Sequence, residues 1–230
     1  MLAAILWMAF AQIKPIDAPN FPEEAQERAV AATVRLKNTT QACDGSGVLV
    51  GRIGPVVYVL TAAHLADKDD KLTVSIFTKD SYPRPAHEYT GELIARQEEQ
   101  DLAVIRFTTS DELASFARPY PPAKIPDAKD FPALTVGCND GAAPTCLAVA
   151  VAGKKRVRRR AGEETALVWE IKSAPKPGRS GGPLLDCKGR LLGVCSGAAD
   201  GKGYYAHAEA IYDFLKQNAL EVLADKEPKK

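Results

Sequence analysis

The sequence contains no Cys-x-x-Cys pair, no apolar run long enough to cross a membrane, and almost no net charge, with 30 Lys and Arg against 29 Asp and Glu. The first absence argues against structural zinc, whose thiolate ligands come in such pairs. Five cysteines remain, Cys43, Cys138, Cys146, Cys187 and Cys195, which allow two internal bridges at most and leave one thiol over. Cys138 and Cys146 are eight residues apart, as are Cys187 and Cys195, a separation that suits staples across local hairpins and leaves the connectivity open. The apolar opening, Met1–Ala11, falls far short of the ~20 residues a spanning helix needs, so no stable membrane span is expected. It reads as the core of an export signal, with Ala9-Phe10-Ala11 in the small-x-small form of a cleavage site, although no Lys or Arg precedes it. The other reading is a segment that packs on the folded domain. Export agrees with the cysteine count, so a secreted or periplasmic protein is expected. A net charge of +1 supplies no field for nucleic acid, and none is expected as a partner. The exception is local. Lys154–Arg160 has six basic residues in seven, either a solvated hairpin tip or a seat for a polyanion or an acidic substrate.

Short runs of β-branched and alternating apolar residues, separated by clusters of Gly, Pro and Asp, recur along the chain. Val30–Leu36, Gly45–Gly51, Val56–Ala62, Lys71–Phe77, Tyr89–Gln97 and Asp101–Phe107 are predicted strands. Residues 110–130, with Pro119, Pro121, Pro122 and Pro126, read as a linker across the surface. Six further strands are predicted at Ala133–Cys138, Cys146–Gly153, Ala166–Lys172, Pro183–Asp186, Arg190–Gly197 and Gly203–Ala208. A chain of 230 residues can bury one large core or two small ones. Six strands plus six predict an all-β fold of two six-stranded antiparallel β-barrels, residues 30–109 and 131–208, although no sequence repeat relates the halves. Residues 12–29, with Pro15, Pro19 and Pro22, read as an extended leader ending in a polar turn. Glu209–Leu223 carries Ile211, Leu215 and Leu223 at helical spacing and predicts a closing C-terminal α-helix, followed by a charged tail, 224–230.

Histidine is scarce, with three in the chain. His64 ends the third predicted strand in Thr61-Ala62-Ala63-His64. His87 follows Pro83 and Pro85 in a loop, and His207 lies in the last predicted strand, where it reads as a satisfied strand histidine. Asp101 opens Asp101-Leu102-Ala103-Val104-Ile105, and Ser180 lies in Gly178-Arg179-Ser180-Gly181-Gly182-Pro183-Leu184. A hydroxyl is a poor nucleophile at neutral pH. It needs a neighbouring base, and the base needs an acceptor to fix its tautomer. Ser180, His64 and Asp101 fit those three roles. The glycines allow a tight turn whose N–H groups, at Gly178 and Ser180, converge on one point as an oxyanion hole. A bare Gly-x-Ser-x-Gly also marks α/β-hydrolases, but there the order is Ser, acid, His and a helix follows the serine. Here a hairpin is predicted after Ser180.

At these three motifs the sequence resembles the trypsin-like serine peptidases of the chymotrypsin fold, especially their short bacterial, HtrA-type branch. The resemblance runs over roughly residues 30–210, with the motifs in the family order His, Asp, Ser at spacings of 37 and 79 residues. It implies that His64 and Asp101 come from the first barrel and Ser180 from the second, that the substrate is a polypeptide, and that no cofactor or metal is used. The family's pocket-base position, six before the serine, is Ala174. Ser196, Gly197 and Gly203 would wall a small uncharged pocket that favours apolar or small P1 residues. Digestive members have Asp immediately before the serine, paired with a newly released N-terminus. Arg179 stands there instead, which implies competence without that cleavage. The cysteine that follows the family's histidine is Leu65, leaving Cys43 as the candidate unpaired thiol. No PDZ-like extension is expected after residue 223, and the resemblance would place a wall of the specificity pocket near His207. The competing readings are a catalytically idle relative that binds through the cleft or the basic loop, and an esterase with the same triad.

Overall fold

The computed structural model describes residues 16–17, 21–158 and 165–225. The export-signal reading of Met1–Ala11 lies outside them. Six antiparallel strands form the first barrel: β2 (Thr33–Asn38), β3 (Cys43–Ile53), β4 (Val56–Thr61), β5 (Leu72–Ile76), β6 (His87–Gln97) and β7 (Leu102–Thr108), closed in the order β2-β3-β4-β7-β6-β5. The second barrel consists of β8 (Phe131–Gly137), β9 (Thr145–Arg158), β10 (Thr165–Ile171), β11 (Pro183–Leu185), β12 (Leu191–Ala199) and β13 (Lys202–His207), closed by the pairing of β8 with β9. A two-residue strand, β1 (Ile16–Asp17), adds to β9 in parallel.

Side chains alternate across a strand, so one strand can serve two cores. In the first barrel Leu49, Val57, Val59, Ile105 and Phe107 point inward to a private core with Val34, Leu36 and Val74. Their neighbours Val48, Val50, Leu60, Leu102 and Val104 point the other way, into a second core shared with Leu134, Val136, Leu185, Val194 and Ala206 of the second barrel. That is why β3, β4 and β7 read as continuous apolar runs: both faces are covered. The shared core clamps the barrels together. The linker takes part, since buried Ala117 donates its N–H to the Leu49 carbonyl of the first barrel and Tyr120 donates its N–H to the Leu191 carbonyl of the second.

Three expectations are corrected. The leader does not stay extended. Pro22 precedes an α-helix, α1 (Glu23–Ala31), which buries Ala25, Gln26, Ala29 and Val30 on one face, so β2 starts at Thr33 rather than Val30. Glu23 and Glu24 in the first turn and Arg28 in the last complement the helix dipole. The closing helix is two: α2 (Ala208–Gln217) and α3 (Val222–Asp225). Ala219 adopts φ 56° and the Leu220 N–H returns to the Leu215 carbonyl, which ends α2 in a Schellman turn. Finally, all five cysteines are free. The Cys138 thiol faces the Val34 carbonyl and the Cys146 thiol the Gln26 carbonyl, so neighbours in the β8–β9 hairpin aim at different elements. Burial pushes both thiols up to about 12, and Cys187 lies exposed while Cys195 is buried.

Candidate active site

Strands β4 and β7 are neighbours, and Thr61 pairs with Ala103. His64, three residues past Thr61, and Asp101, two residues before Ala103, are therefore carried to the same end of the barrel. A short 3-10 turn, Ala63–Leu65, presents the imidazole. Leu65 occupies space over Gly45 that a side chain there would claim. Asp101 sits at φ 54°, with its N–H bonded to the Glu98 carbonyl, a left-handed conformation that Asp tolerates better than most residues.

The Asp101 carboxylate is 2% exposed. It accepts the His64 backbone N–H at 3.0 Å, faces His64 Nδ1 at 3.0 and 2.9 Å, and accepts Ser196 Oγ at 2.6 Å. An ionised carboxylate only accepts, and this pairing suits the tautomer with its proton on Nδ1 and a lone pair on Nε2; the His64 side chain is 40% exposed. Ser196 was expected to wall the specificity pocket. Its hydroxyl donates to Asp101 from a position where the β12–β13 register shifts between Cys195 and Gly197.

Ser180 lies in a turn fastened from both barrels. Arg179 N–H bonds to the Lys176 carbonyl, Gly182 N–H to the Arg179 carbonyl and Gly181 N–H to the Cys195 carbonyl. Among the described residues, the amides of Gly178 and Ser180 donate to no protein acceptor. Across the interface, the Ser46 N–H of β3 bonds to the Ser180 carbonyl at 2.8 Å, and Ser46 Oγ donates to the Gly178 carbonyl at 2.7 Å while accepting the Cys138 N–H at 2.8 Å. Thr61 Oγ1 in turn donates to the Ser46 carbonyl at 2.7 Å. The glycines are required twice over. Gly178 and Gly181 adopt φ 83° and 80°, and a Cβ on either would overlap the Cys138 or the Ser46 carbonyl oxygen. Thr61 Oγ1 and the Ala62 N–H border Gly181, so the serine turn rests against the segment that delivers His64.

Of the other expected pocket residues, Gly203 packs against Ser173 and Pro175, which flank exposed Ala174, and Gly197 pairs with Tyr204 next to Gly203. These three lie together. His87 opens β6, exposed, with its ring against Tyr89. His207 is 1% exposed; its Nδ1 accepts the Glu209 N–H as the cap of α2, and Trp169 covers its ring. Burial pushes its pKa down to about 4, with Lys154 adding to the fall and Glu209 opposing it. It is a structural histidine. At the base of the β9–β10 hairpin Lys154, Lys155, Arg156 and Arg158 are exposed; Lys155 pairs with Glu170 at 3.1 Å, and Arg159 and Arg160 lie outside the described residues. Among the described residues no cluster of His, Cys, Asp and Glu could hold a metal ion, and no helix is long and apolar enough to cross a membrane.

Sequence reasoning passed over Ser46, although Gly45-Ser46-Gly47 in an apolar strand carries a signal. Glycines beside a polar residue mark a close approach of backbone, and a Cβ on Gly47 would press on Val34 and Val59.

A family model described as a trypsin-like peptidase domain matches residues 45–194. The chain is similar to the serine protease Do-like HtrA of Bacillus subtilis, 26% identical over 160 residues that cover 68% of this chain and 34% of that protein. It is also similar to an HtrA-like serine protease of Staphylococcus epidermidis, 26% identical over 172 residues, 70% of this chain and 27% of that one. The chain thus spans about a third or less of the length of these relatives. Among solved structures it is similar to the Rv3671c protease of M. tuberculosis, crystallised as an inactive-form alanine mutant. The TM-score is 0.66 at 18% identity, covering 89% of this chain and 97% of that one. A second inactive-form structure of Rv3671c gives 0.65 at 19%. Likeness at that identity speaks for the fold.

Proposed function

The chain belongs to the family of trypsin-like peptidase domains, and from that premise we propose that it is a serine endopeptidase with Ser180 as nucleophile, His64 as general base and Asp101 as the orienting carboxylate. The observation that carries this reading is the buried Asp101 carboxylate facing His64 Nδ1 at 2.9 Å while Ser196 and the His64 amide donate to the same carboxylate. In the reaction Ser180 Oγ attacks the peptide carbonyl carbon as His64 Nε2 takes its proton. The carbonyl oxygen becomes an oxyanion in front of the Gly178 and Ser180 amides, which stabilise charge absent from the ground state. Collapse breaks the C–N bond as His64 returns the proton to the leaving amine. Water then enters by the same route and releases Ser180. Ala174, Gly197 and Gly203 would line a small uncharged pocket for an apolar or small P1 side chain. A guanidinium before the nucleophile cannot pair with a liberated N-terminal ammonium, so activity should need no such cleavage. The apolar composition of Met1–Ala11 supports a place outside the cytoplasm; with every thiol free, the cysteines no longer add to that argument.

The test is covalent labelling with a fluorophosphonate, which reacts at activated serines. Labelling of the full chain that vanishes in Ser180→Ala and His64→Ala variants is the expected result. A folded chain that does not label overturns the reading and turns attention to the cleft and the basic hairpin as binding surfaces.

A further inference from the structure

The residue before the nucleophile is the largest charged side chain in the interior: Arg179 is 0% exposed. Its guanidinium makes a fork across the second barrel. Nη2 donates to the Thr135 carbonyl at 2.7 Å and the Thr145 carbonyl at 3.0 Å, with Thr135 Oγ1 at 3.4 Å; Nη1 donates to Asn139 Oδ1 at 3.1 Å and Thr145 Oγ1 at 3.2 Å. Thr135 is on β8, Thr145 starts β9 and Asn139 lies between them. Among the described residues Arg179 has no carboxylate partner, and its Nε has no acceptor. The Thr135 hydroxyl continues the network to buried Tyr205 at 2.6 Å.

A buried cation without a counter-ion is costly, and an apolar side chain of similar volume would avoid that cost. What an apolar side chain could not do is tie residue 179 to three separate segments at once. The main chain of Arg179 lies between the two amides left without a protein acceptor. The Ser180 N–H belongs to the peptide that starts at Arg179 Cα, the Gly178 carbonyl, held by Ser46 Oγ, to the peptide that ends at Arg179 N, and the Gly178 N–H to the peptide before that, whose Pro177 carbonyl accepts the N–H of Asp140, the neighbour of Asn139, at 3.0 Å. Behind it Gly137 leaves no slack, since a Cβ there would stand 3.0 Å from Arg179 Cα. The guanidinium thus holds, through Asn139, the turn that bonds the Pro177–Gly178 peptide, while its own main chain carries the peptide of the Ser180 N–H. An acid at this position would wait for a cation from elsewhere, whereas a guanidinium finds its acceptors inside its own barrel. We propose that Arg179 is a positioning residue, an internal clamp that holds the Gly178–Ser180 turn with its two N–H groups aimed at the developing oxyanion. This rests on the peptidase reading for its catalytic consequence but not for its structural one.

The experiment compares the full chain with Arg179→Met and Arg179→Lys. Fluorophosphonate inactivation is resolved into its maximal rate and its half-saturating concentration, and amide N–H spectra are recorded for residues 178–182. With methionine the maximal rate should fall on the order of 100-fold, the scale of one lost oxyanion donor. The half-saturating concentration and the pH midpoint of the reaction should stay in place, because His64 and Asp101 are untouched. Lysine, which can reach a carbonyl but cannot make the fork, should restore part of the rate. The Gly178, Arg179 and Ser180 amide signals should shift and broaden in the methionine variant. Unchanged amides, or a methionine variant labelled at the wild-type rate, overturn the clamp. A wild type that does not label counts against the peptidase reading alone, and the amide spectra then decide the clamp. If Arg179→Met does not fold, Asn139→Ala with Thr145→Val removes both acceptors of Nη1 and keeps the arginine. A several-fold slower reaction with shifted 178–180 amides is expected, and no change in either refutes the proposal.

Discussion

Replacing Ser46 with alanine deletes one oxygen from the first barrel and should damage a turn in the second. Ser46 is fully buried, and its Oγ donates to the Gly178 carbonyl while accepting the Cys138 amide. Alanine leaves both groups without that partner. Cys138 is buried, so its N–H bears the full penalty of an unmatched donor, about 1–3 kcal/mol; the Gly178 carbonyl, in a half-exposed turn, can rotate toward water at a smaller cost. The sum is ~2–4 kcal/mol, and for a chain of this size that lowers Tm by about 5–15 °C. The second effect is on rate. Once the Gly178 carbonyl turns away, the Gly178–Arg179 peptide loses its hold from β3, and fluorophosphonate labelling should slow by about tenfold, less than for outright loss of an oxyanion donor. Thr61→Val is the comparison. It is nearly isosteric and removes one hydrogen bond, that of Oγ1 to the Ser46 carbonyl, so ~1 kcal/mol is expected with little effect on labelling. Denaturant unfolding and labelling rates on the three proteins make the test. A Ser46→Ala chain within ~0.5 kcal/mol of wild type and labelled at the same rate would refute the claim that Ser46 braces the serine turn.

Three further outcomes concern Asp101, Ser196 and His207. Asp101→Asn should keep the fold but offer the His64 ring an amide in place of an acceptor-only carboxylate. The rate should fall by about 10⁴ as the wrong tautomer takes over, whereas Ser196→Ala, which removes one hydrogen bond to a charged acceptor, should cost about 10- to 100-fold; labelling rates read both. His207 is buried neutral, with its pKa pushed from 6.5 to about 4. The native state therefore refuses a proton that the unfolded chain accepts. Its contribution is fully present above pH 6.5 and is lost as pH falls toward 4, by ~3 kcal/mol. Unfolding free energies measured between pH 7 and 4 should fall more steeply for wild type than for His207→Asn, which keeps a capping side chain and has nothing to titrate. Equal slopes would show that the ring is not held neutral.

The barrels were legible because their strands alternate or run apolar without a break, and because turn residues punctuate them at short intervals. The three catalytic candidates were legible because each lies in a local motif at a strand end, and the β4–β7 register then carries His64 and Asp101 together. What the sequence hid falls into two kinds. Helix α1 was obscured by Pro15, Pro19 and Pro22 before it. The local signals, two acids after Pro22 and Arg28 four residues past Glu24, were present but were outweighed by the reading of a proline-rich leader. The contact of Ser196 with Asp101 was equally hidden, since Ser196 stands at an irregularity of the β12–β13 ladder that leaves the apolar pattern unaltered.

The second kind is a matter of sequence distance. Ser46 meets Gly178 across 132 residues, and Arg179 meets Asn139 across 40 and Thr135 across 44. Ser46, Arg179 and Thr135 are polar and buried, and their partners lie far away along the chain, so no window of sequence contains both. The arginine illustrates the limit. From composition it is a charge that ought to face water, and from the family pattern it is a departure from an expected acid. The acceptors that let it stay buried are two strand carbonyls and three small polar side chains, none of which stands out in sequence until the second barrel closes around them. In the proposed reading the second barrel supplies the clamp for the oxyanion donors, the first barrel would supply the base and its carboxylate, and Ser46 bonds to both Gly178 and Ser180 where the two halves meet.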